Sequence, residues 1–287
     1  MNSESDLEEI LFKQDKPFRG MRILAIGDPH GDLAKIKRIP IKGIDLILVT
    51  GDLGKADAAR KRFFENIKRK KEGLPELKED TKYLRGAHYE IHNSTLDILK
   101  YLSKFAPVYT IQGNVGIPTR SKVKEEEEKH GIILPATREK MKKMPDVYLV
   151  KNSLRLIDGL RIGFLEYYLD NSWVKEFNQN RYKKKAKKQT ERARRVLSRF
   201  SDLDIFICHQ PPYGFLDKVS GKYGAPKDWQ GKHAGGKAIL DYIKRHQPPY
   251  VLCGHIHEGE GKARIGKSQV YNLGVAGHVV LNLHQNP

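Results

Sequence analysis

The segment Met21-Arg22-Ile23-Leu24-Ala25-Ile26-Gly27-Asp28-Pro29-His30-Gly31-Asp32 decides the fold of this chain. Its first half is a short apolar run, as a strand covered on both faces should be. Its second half is a turn-rich loop that carries Asp28 and His30. The pattern recurs four times. Residues 44–49 lead to Thr50-Gly51-Asp52, and residues 108–111 lead to Gln112-Gly113-Asn114. Residues 204–208 lead to His209-Gln210-Pro211-Pro212, and residues 250–253 lead to Gly254-His255-Ile256-His257. Helical patterns at 57–71, 75–104, 175–200 and 236–246 lie between these runs, and such alternation predicts an α/β fold. Residues 269–283 read as two more strands around a Gly-rich turn at 274–277.

The chain has 287 residues, enough for a sizeable core without disulfide or metal staples. No linker or repeat divides it. Residues 1–20 read as an N-terminal appendage, with a turn or two of helix at 5–12, and residues 21–287 as a single domain. Lys+Arg number 53 against 35 Asp+Glu, a net charge of +18, which favours anionic partners. No apolar run approaches the ~18 residues of a membrane-spanning helix. The N-terminus lacks an apolar signal core, and two cysteines make no disulfide framework. The expectation is a soluble, cytoplasmic protein with no membrane partner. Its Lys/Glu-rich, cysteine-poor composition suits a thermophile.

Ligand sites in open α/β sheets form outside the carboxyl ends of the strands. If the five strands are neighbours, Asp28, His30, Asp52, Asn114, His209, His255 and His257 converge on one edge. Carboxylates, an amide oxygen and imidazoles together are the ligand mixture for manganese, iron or zinc. Any one piece alone is an ordinary turn with a surface histidine. Five pieces in order, each behind its own strand, predict a metal site.

Asp28-Pro29-His30, Gly51-Asp52, Gly113-Asn114, His209 and Gly254-His255-Ile256-His257 together resemble the calcineurin-like metallophosphoesterases. The resemblance implies a four-layer αββα sandwich of two mixed sheets flanked by helices. It implies two divalent ions, manganese first, with iron, zinc or nickel as alternatives. It assigns one ion to Asp28, His30, Asp52 and His257, and the other to Asp52, Asn114, His209 and His255. Asp52 bridges, and the activity implied is hydrolysis of a phosphate ester through a metal-bridging hydroxide.

One position departs from the family's pattern. Val115 follows Asn114 where the family usually has a histidine that helps the leaving group. Valine neither donates a proton nor hydrogen-bonds, so a phosphodiester or activated ester of nucleotide-like character is expected over an alkyl monoester. His233, in Lys232-His233-Ala234-Gly235-Gly236, is the candidate to replace the missing acid. With Asp52 and Asn114 it completes the expected catalytic set. His88 and His92 share a helix face and read as half-buried surface, and His278 as a strand residue. Cys208 and Cys253 end buried strands and read as packing residues. Prolines 211 and 212 are placed to hold Tyr213 or Phe215 beside the metals or merely in a packed loop, and residues 222–229 are a candidate cap.

Residues 175–199 hold eleven Lys/Arg and two Glu, half of the net charge, including Lys184, Lys185, Lys188 and Arg192. Tyr182, Ala186, Ala193, Leu197 and Phe200 recur at helical spacing as a docking stripe. The charged face is either solvated surface or a guide for RNA or DNA, which would make the protein a nuclease. A non-catalytic binding module on the same fold is the third alternative, disfavoured because all seven ligand positions are kept.

Overall fold

The structure is a computed structural model that describes residues 20–78 and 80–283. The expected helical turns at 5–12 lie outside the described residues, as does the appendage up to residue 19. Eleven strands form two sheets among the described residues. The first contains β1 (Met21–Ile26), β2 (Leu46–Val49), β3 (Val108–Thr110), β4 (Val147–Leu149) and β11 (His278–Leu283), in the order β11-β1-β2-β3-β4. Strands β1 to β4 run parallel, and β11 closes the edge antiparallel, with Met21 opposite Leu283. The second contains β5 (Ser153–Ile157), β6 (Leu160–Leu165), β7 (Ile205–Cys208), β8 (Tyr250–Cys253), β9 (Gly261–Ile265) and β10 (Ser268–Asn272). Its order is β5-β6-β7-β8-β10-β9, parallel from β6 to β10 with antiparallel strands at both edges.

Among the described residues eight α-helices connect them: α1 (Leu33–Ile36), α2 (Asp57–Lys71), α3 (Thr81–Leu102), α4 (Arg120–His130), α5 (Thr137–Lys142), α6 (Asn171–Glu176), α7 (Lys183–Leu197) and α8 (Lys237–His246). Period-2 alternation explains the layers. Ile23 and Ala25 of β1 and Leu46 and Leu48 of β2 meet Ile162, Phe164, Ile205 and Ile207 between the sheets. Leu24, Ile26, Ile47 and Val49 point the other way, onto Ile98, Leu99 and Leu102 of α3. On the far side, Phe206, Cys208 and Val251 receive Ala193 and Leu197 of α7 and Ile239 and Ile243 of α8. Each fully buried Ile, Leu or Phe contributes roughly 1.5–3 kcal/mol by leaving water, so both faces of each central strand hold the sandwich. No helix of the described residues is long and apolar enough to cross a membrane.

Two expectations are corrected in detail. The helix expected from residue 75 starts at Thr81, where the Asp80 side chain caps the backbone N–H of Tyr83 at 2.6 Å. The single helix expected over 175–200 is broken into α6, a 3-10 turn at Asn180–Tyr182, and α7. Tertiary packing breaks it. Trp173 and Phe177 turn onto Trp229, and Asn178 adopts a left-handed φ of 54°. A small fourth cluster results: Phe177, Trp229, Ala234 and Ile256, with Ile67, Trp173 and Val219 packed against it. It ties α2 to the loop that precedes α8. The docking stripe holds for Ala186, Ala193, Leu197 and Phe200, which are buried; Tyr182 is only half-buried.

Candidate metal centre

The five donor loops lie at the carboxyl ends of strands from both sheets, so they face one another across the sandwich instead of lining one sheet's edge. Backbone hydrogen bonds lock them together. His30 N–H donates to Asp52 O at 2.9 Å, Gly254 N–H to His209 O at 2.8 Å, and Tyr167 N–H, beyond β6, to Gln112 O at 2.9 Å. Three of the seven donor residues have left-handed backbone: His30 (φ 43°), Asp52 (φ 38°) and His255 (φ 66°). Such a conformation costs on the order of 1–3 kcal/mol per non-glycine residue and persists only where the surroundings enforce it.

The motif glycines are there for closeness. A Cβ on Gly113 would lie 2.1 Å from Asp52 Oδ1 and 2.6 Å from His209 Cε1. On Gly254 it would lie 2.4 Å from Asp28 Oδ1. Any side chain at either position would displace a donor.

All seven expected residues come together. Asp28 accepts from Thr50 Oγ1 at 2.7 Å and from the His255 backbone N–H at 2.6 Å. It also lies 3.5 Å from His257 Nε2 and 3.7 Å from His209 Nδ1. Asp52 Oδ1 accepts the Val115 N–H at 2.8 Å, while Oδ2 lies 3.5 Å from His209 Nε2 and 3.8 Å from His30 Nε2. Two compact donor groups result, Asp28-His30-His257 and Asp28-Asp52-His209. Asp28 belongs to both, and Asp52 also reaches a histidine of each.

The chemistry of the donor set fits divalent cations. His209 Nδ1 lies 2.9 Å from Thr50 O, so it is the protonated nitrogen, and Nε2 carries the lone pair. That lone pair faces Asn114 Oδ1 at 2.8 Å, and His255 Nδ1 faces the same oxygen at 2.7 Å. His30 and His257 bring their Nε2 atoms within 3.2 Å. In this tautomer His209 Nε2 and Asn114 Oδ1 are both acceptors, and such a pair is costly beside the buried His209 ring unless a cation lies between them.

Burial alone would raise both carboxyls. At Asp28 the neighbouring His209 and the hydrogen bond to His257 outweigh it and hold the carboxyl well below the usual range. At Asp52 burial prevails, reinforced by the charge of Asp28 and opposed by His209, and the carboxyl lies above its ordinary value. Burial pushes His30 down, and pushes His255 further down with His209 adding to the effect. Both rings are thereby kept neutral, the form that offers a lone pair.

The remaining candidates make contacts of their own. His233 Nδ1 is 2.6 Å from Oδ1 of the buried Asp217, whose Oδ2 accepts from the backbone of Gly214 and Gly235. Tyr213 packs on His233 and under Lys237, and Phe215 joins the outer core of the second sheet. Both are held in ordinary loop packing, one of the two readings of prolines 211 and 212. Tyr167 and Tyr223 are the rings beside the donors. Tyr167 packs 5.8 Å from His209 and 5.3 Å from His255, its hydroxyl pushed up to about 12 by burial and by Asp52. Tyr223 meets His257 edge-on at 5.3 Å, so the loop considered as a cap does reach the site. His92 bonds Thr137 Oγ1 at 2.9 Å on a half-buried helix face, and His278 is an exposed β11 residue. Burial raises both cysteine thiols, which donate to the carbonyls of Gln210 and Tyr271.

The calcineurin-like phosphoesterase family model matches residues 21–259. A stretch of 74 residues is 39% identical to metallophosphoesterase domain-containing protein 1 of Homo sapiens, over 25% of this chain and 20% of that protein. A stretch of 72 residues is 29% identical to a UPF0046 protein of Caenorhabditis elegans, over 25% and 21%. The matches span about a fifth of the length of these curated relatives. A solved crystal structure shares the fold at a TM-score of 0.61 and 15% identity, covering 92% of this chain and 95% of that one. Because the family match runs from β1 to the loop of His257 and so takes in every donor, the chain belongs to the calcineurin-like phosphoesterases.

Proposed function

We propose that this chain is a dinuclear metal-dependent phosphodiesterase acting on a nucleotide-like substrate. The observation that carries the reading is the pair of donor groups that share Asp28 and are spanned by Asp52. Two divalent cations, when bound, supply an activated water and neutralise charge on the phosphoryl group. Asp28, His30, Asp52 and His257 would hold one, and Asp52, Asn114, His209 and His255 the other. Thr50 fixes the His209 tautomer through its carbonyl. The Val115 N–H holds one oxygen of Asp52.

Preference for a diester follows from Val115, which offers no proton to a leaving alkoxide. His233 is the proposed substitute donor. Asp217 holds its Nδ1, which leaves Nε2 for a substrate oxygen. The test is a metal-supplemented screen of the purified chain. With manganese added first, then iron, zinc or nickel, bis-nitrophenyl phosphate is expected to turn over faster than nitrophenyl phosphate. Monoester turnover at or above the diester rate with every metal would overturn the diesterase reading.

A further inference from the structure

We propose that helix α2 and the Tyr223 loop form a track for single-stranded nucleic acid that leads into the metal centre, a substrate class that rests on the diesterase reading. Helix α2 has no buried residue and carries seven Lys/Arg against two acids. Its connection to the centre is direct. The Tyr223 ring touches His257, and Arg60 lies over that ring at 5.3 Å while donating to the Tyr223 carbonyl. Lys222 Nζ also sits 5.3 Å from the ring centroid. Two cations and an aromatic ring thus stand beside a proposed metal ligand.

From Arg60 the track runs along one face of α2. Phe63, Lys70 and Lys71 follow at i+3, i+10 and i+11 on one side of a helix about 22 Å long, beside Ile67, which packs on the Trp229 cluster and seats that edge of the helix against the loop. Phe63 is 43% exposed, an unusual place for a phenylalanine among cations. At the far end a groove of about 320 Å³ is lined by Ile67, Lys70, Lys71, Asn178, Asn180 and Arg181. Arg181 continues into the exposed Lys183, Lys184 and Lys185 at the start of α7. The acids on this path, Asp228 beside Lys71 and Glu76 beside Arg181, form exposed ion pairs, which are weak and yield to phosphate.

A single strand needs charge for its backbone and flat faces for unstacked bases; along this path the cations are interleaved with the exposed Phe63 and the half-buried Tyr223. Helix α7 has the larger charge, but it packs on the outside of the second sheet, and only Tyr182 interrupts its cations. Helix α2 joins that charge to the centre.

The experiment measures binding of a short fluorescein-labelled single strand with phosphorothioate links to the manganese-loaded full chain, by anisotropy across a salt series. The variant is Phe63→Ala with Lys70→Glu and Arg181→Glu. A control, Lys42→Glu with Lys104→Glu, makes the same change in net charge elsewhere on the surface. The variant is expected to bind at least about tenfold more weakly, with a salt slope lower by about 1.4, and the control to bind like the parent. Circular dichroism melts of all three check folding. Equal affinity in variant and parent, equal weakening in the control, or no binding by the parent at low salt would each overturn the proposal. Parallel assays with bis-nitrophenyl phosphate separate the two readings. A parent that cleaves the aryl diester but ignores the strand sinks the track alone. A parent that holds the strand through α2 but cleaves no diester sinks the diesterase reading instead.

Discussion

Asp52→Ala is expected to leave a folded chain that has lost most of its bound metal and at least about a thousandfold in diester turnover, the several kcal/mol that a catalytic metal supplies. Asp52 is buried and touches both halves of the donor cluster. Oδ2 lies between His209 and His30, and Oδ1 is held by the Val115 N–H. Alanine removes a ligand assigned to both ions, whereas His30→Ala removes one assigned to a single ion. Elemental analysis should therefore find less metal in Asp52→Ala than in His30→Ala. Two equivalents per chain in well-folded Asp52→Ala would mean that Asp52 does not bridge. Asp28, common to both compact groups, would then be the residue to substitute next.

The second large effect concerns Val115. The parent is expected to hydrolyse nitrophenyl diesters well and nucleoside monophosphates poorly. A nitrophenolate leaves without a proton, but a sugar alkoxide needs one. Val115→His should narrow that gap by up to ~10²–10⁴-fold, the worth of a positioned acid. The substitution is conservative for the site because the contact to Asp52 is made by the main-chain N–H. Rates for both substrates, in parent and variant, decide it. If the parent already hydrolyses nucleoside monophosphates as fast as aryl diesters, Val115 is no handicap. His233→Ala and Asp217→Asn would then test which group supplies the proton.

The convergence of the seven residues was legible because five pieces come in order, each behind its own apolar strand, where any one alone is an ordinary turn. Strand β6, LRIGFL, is as apolar as the others but ends at Glu166-Tyr167, which carries no ligand signature, so the sequence pattern does not mark Tyr167. Strand β4 is three residues long, and β9, GKARI, is a half-exposed edge strand whose charges mask it. That the strands divide into two sheets came from the family resemblance; each run alone says only that both its faces are covered. The break between α6 and α7 depends on Trp173 and Phe177 finding Trp229, more than fifty residues away, which local pattern does not encode. Thr50 and Tyr223 are common residue types in loops, and only the folded chain shows that they touch the cluster.

The small cluster under the Tyr223 loop has a spectroscopic consequence. The chain has two tryptophans, and Trp173 and Trp229 cross there at 5.8 Å, against Ile256, the residue between His255 and His257. Intrinsic tryptophan emission therefore watches one corner of the molecule, the seam where α2 meets the loops, and is blind to the apolar layer between the sheets. A melt followed by emission would register the opening of that seam, while far-ultraviolet dichroism would register loss of the strands. If the seam is among the weaker units of the fold, the emission transition will come first. The gap between the two curves would then measure how firmly the entrance to the site is latched.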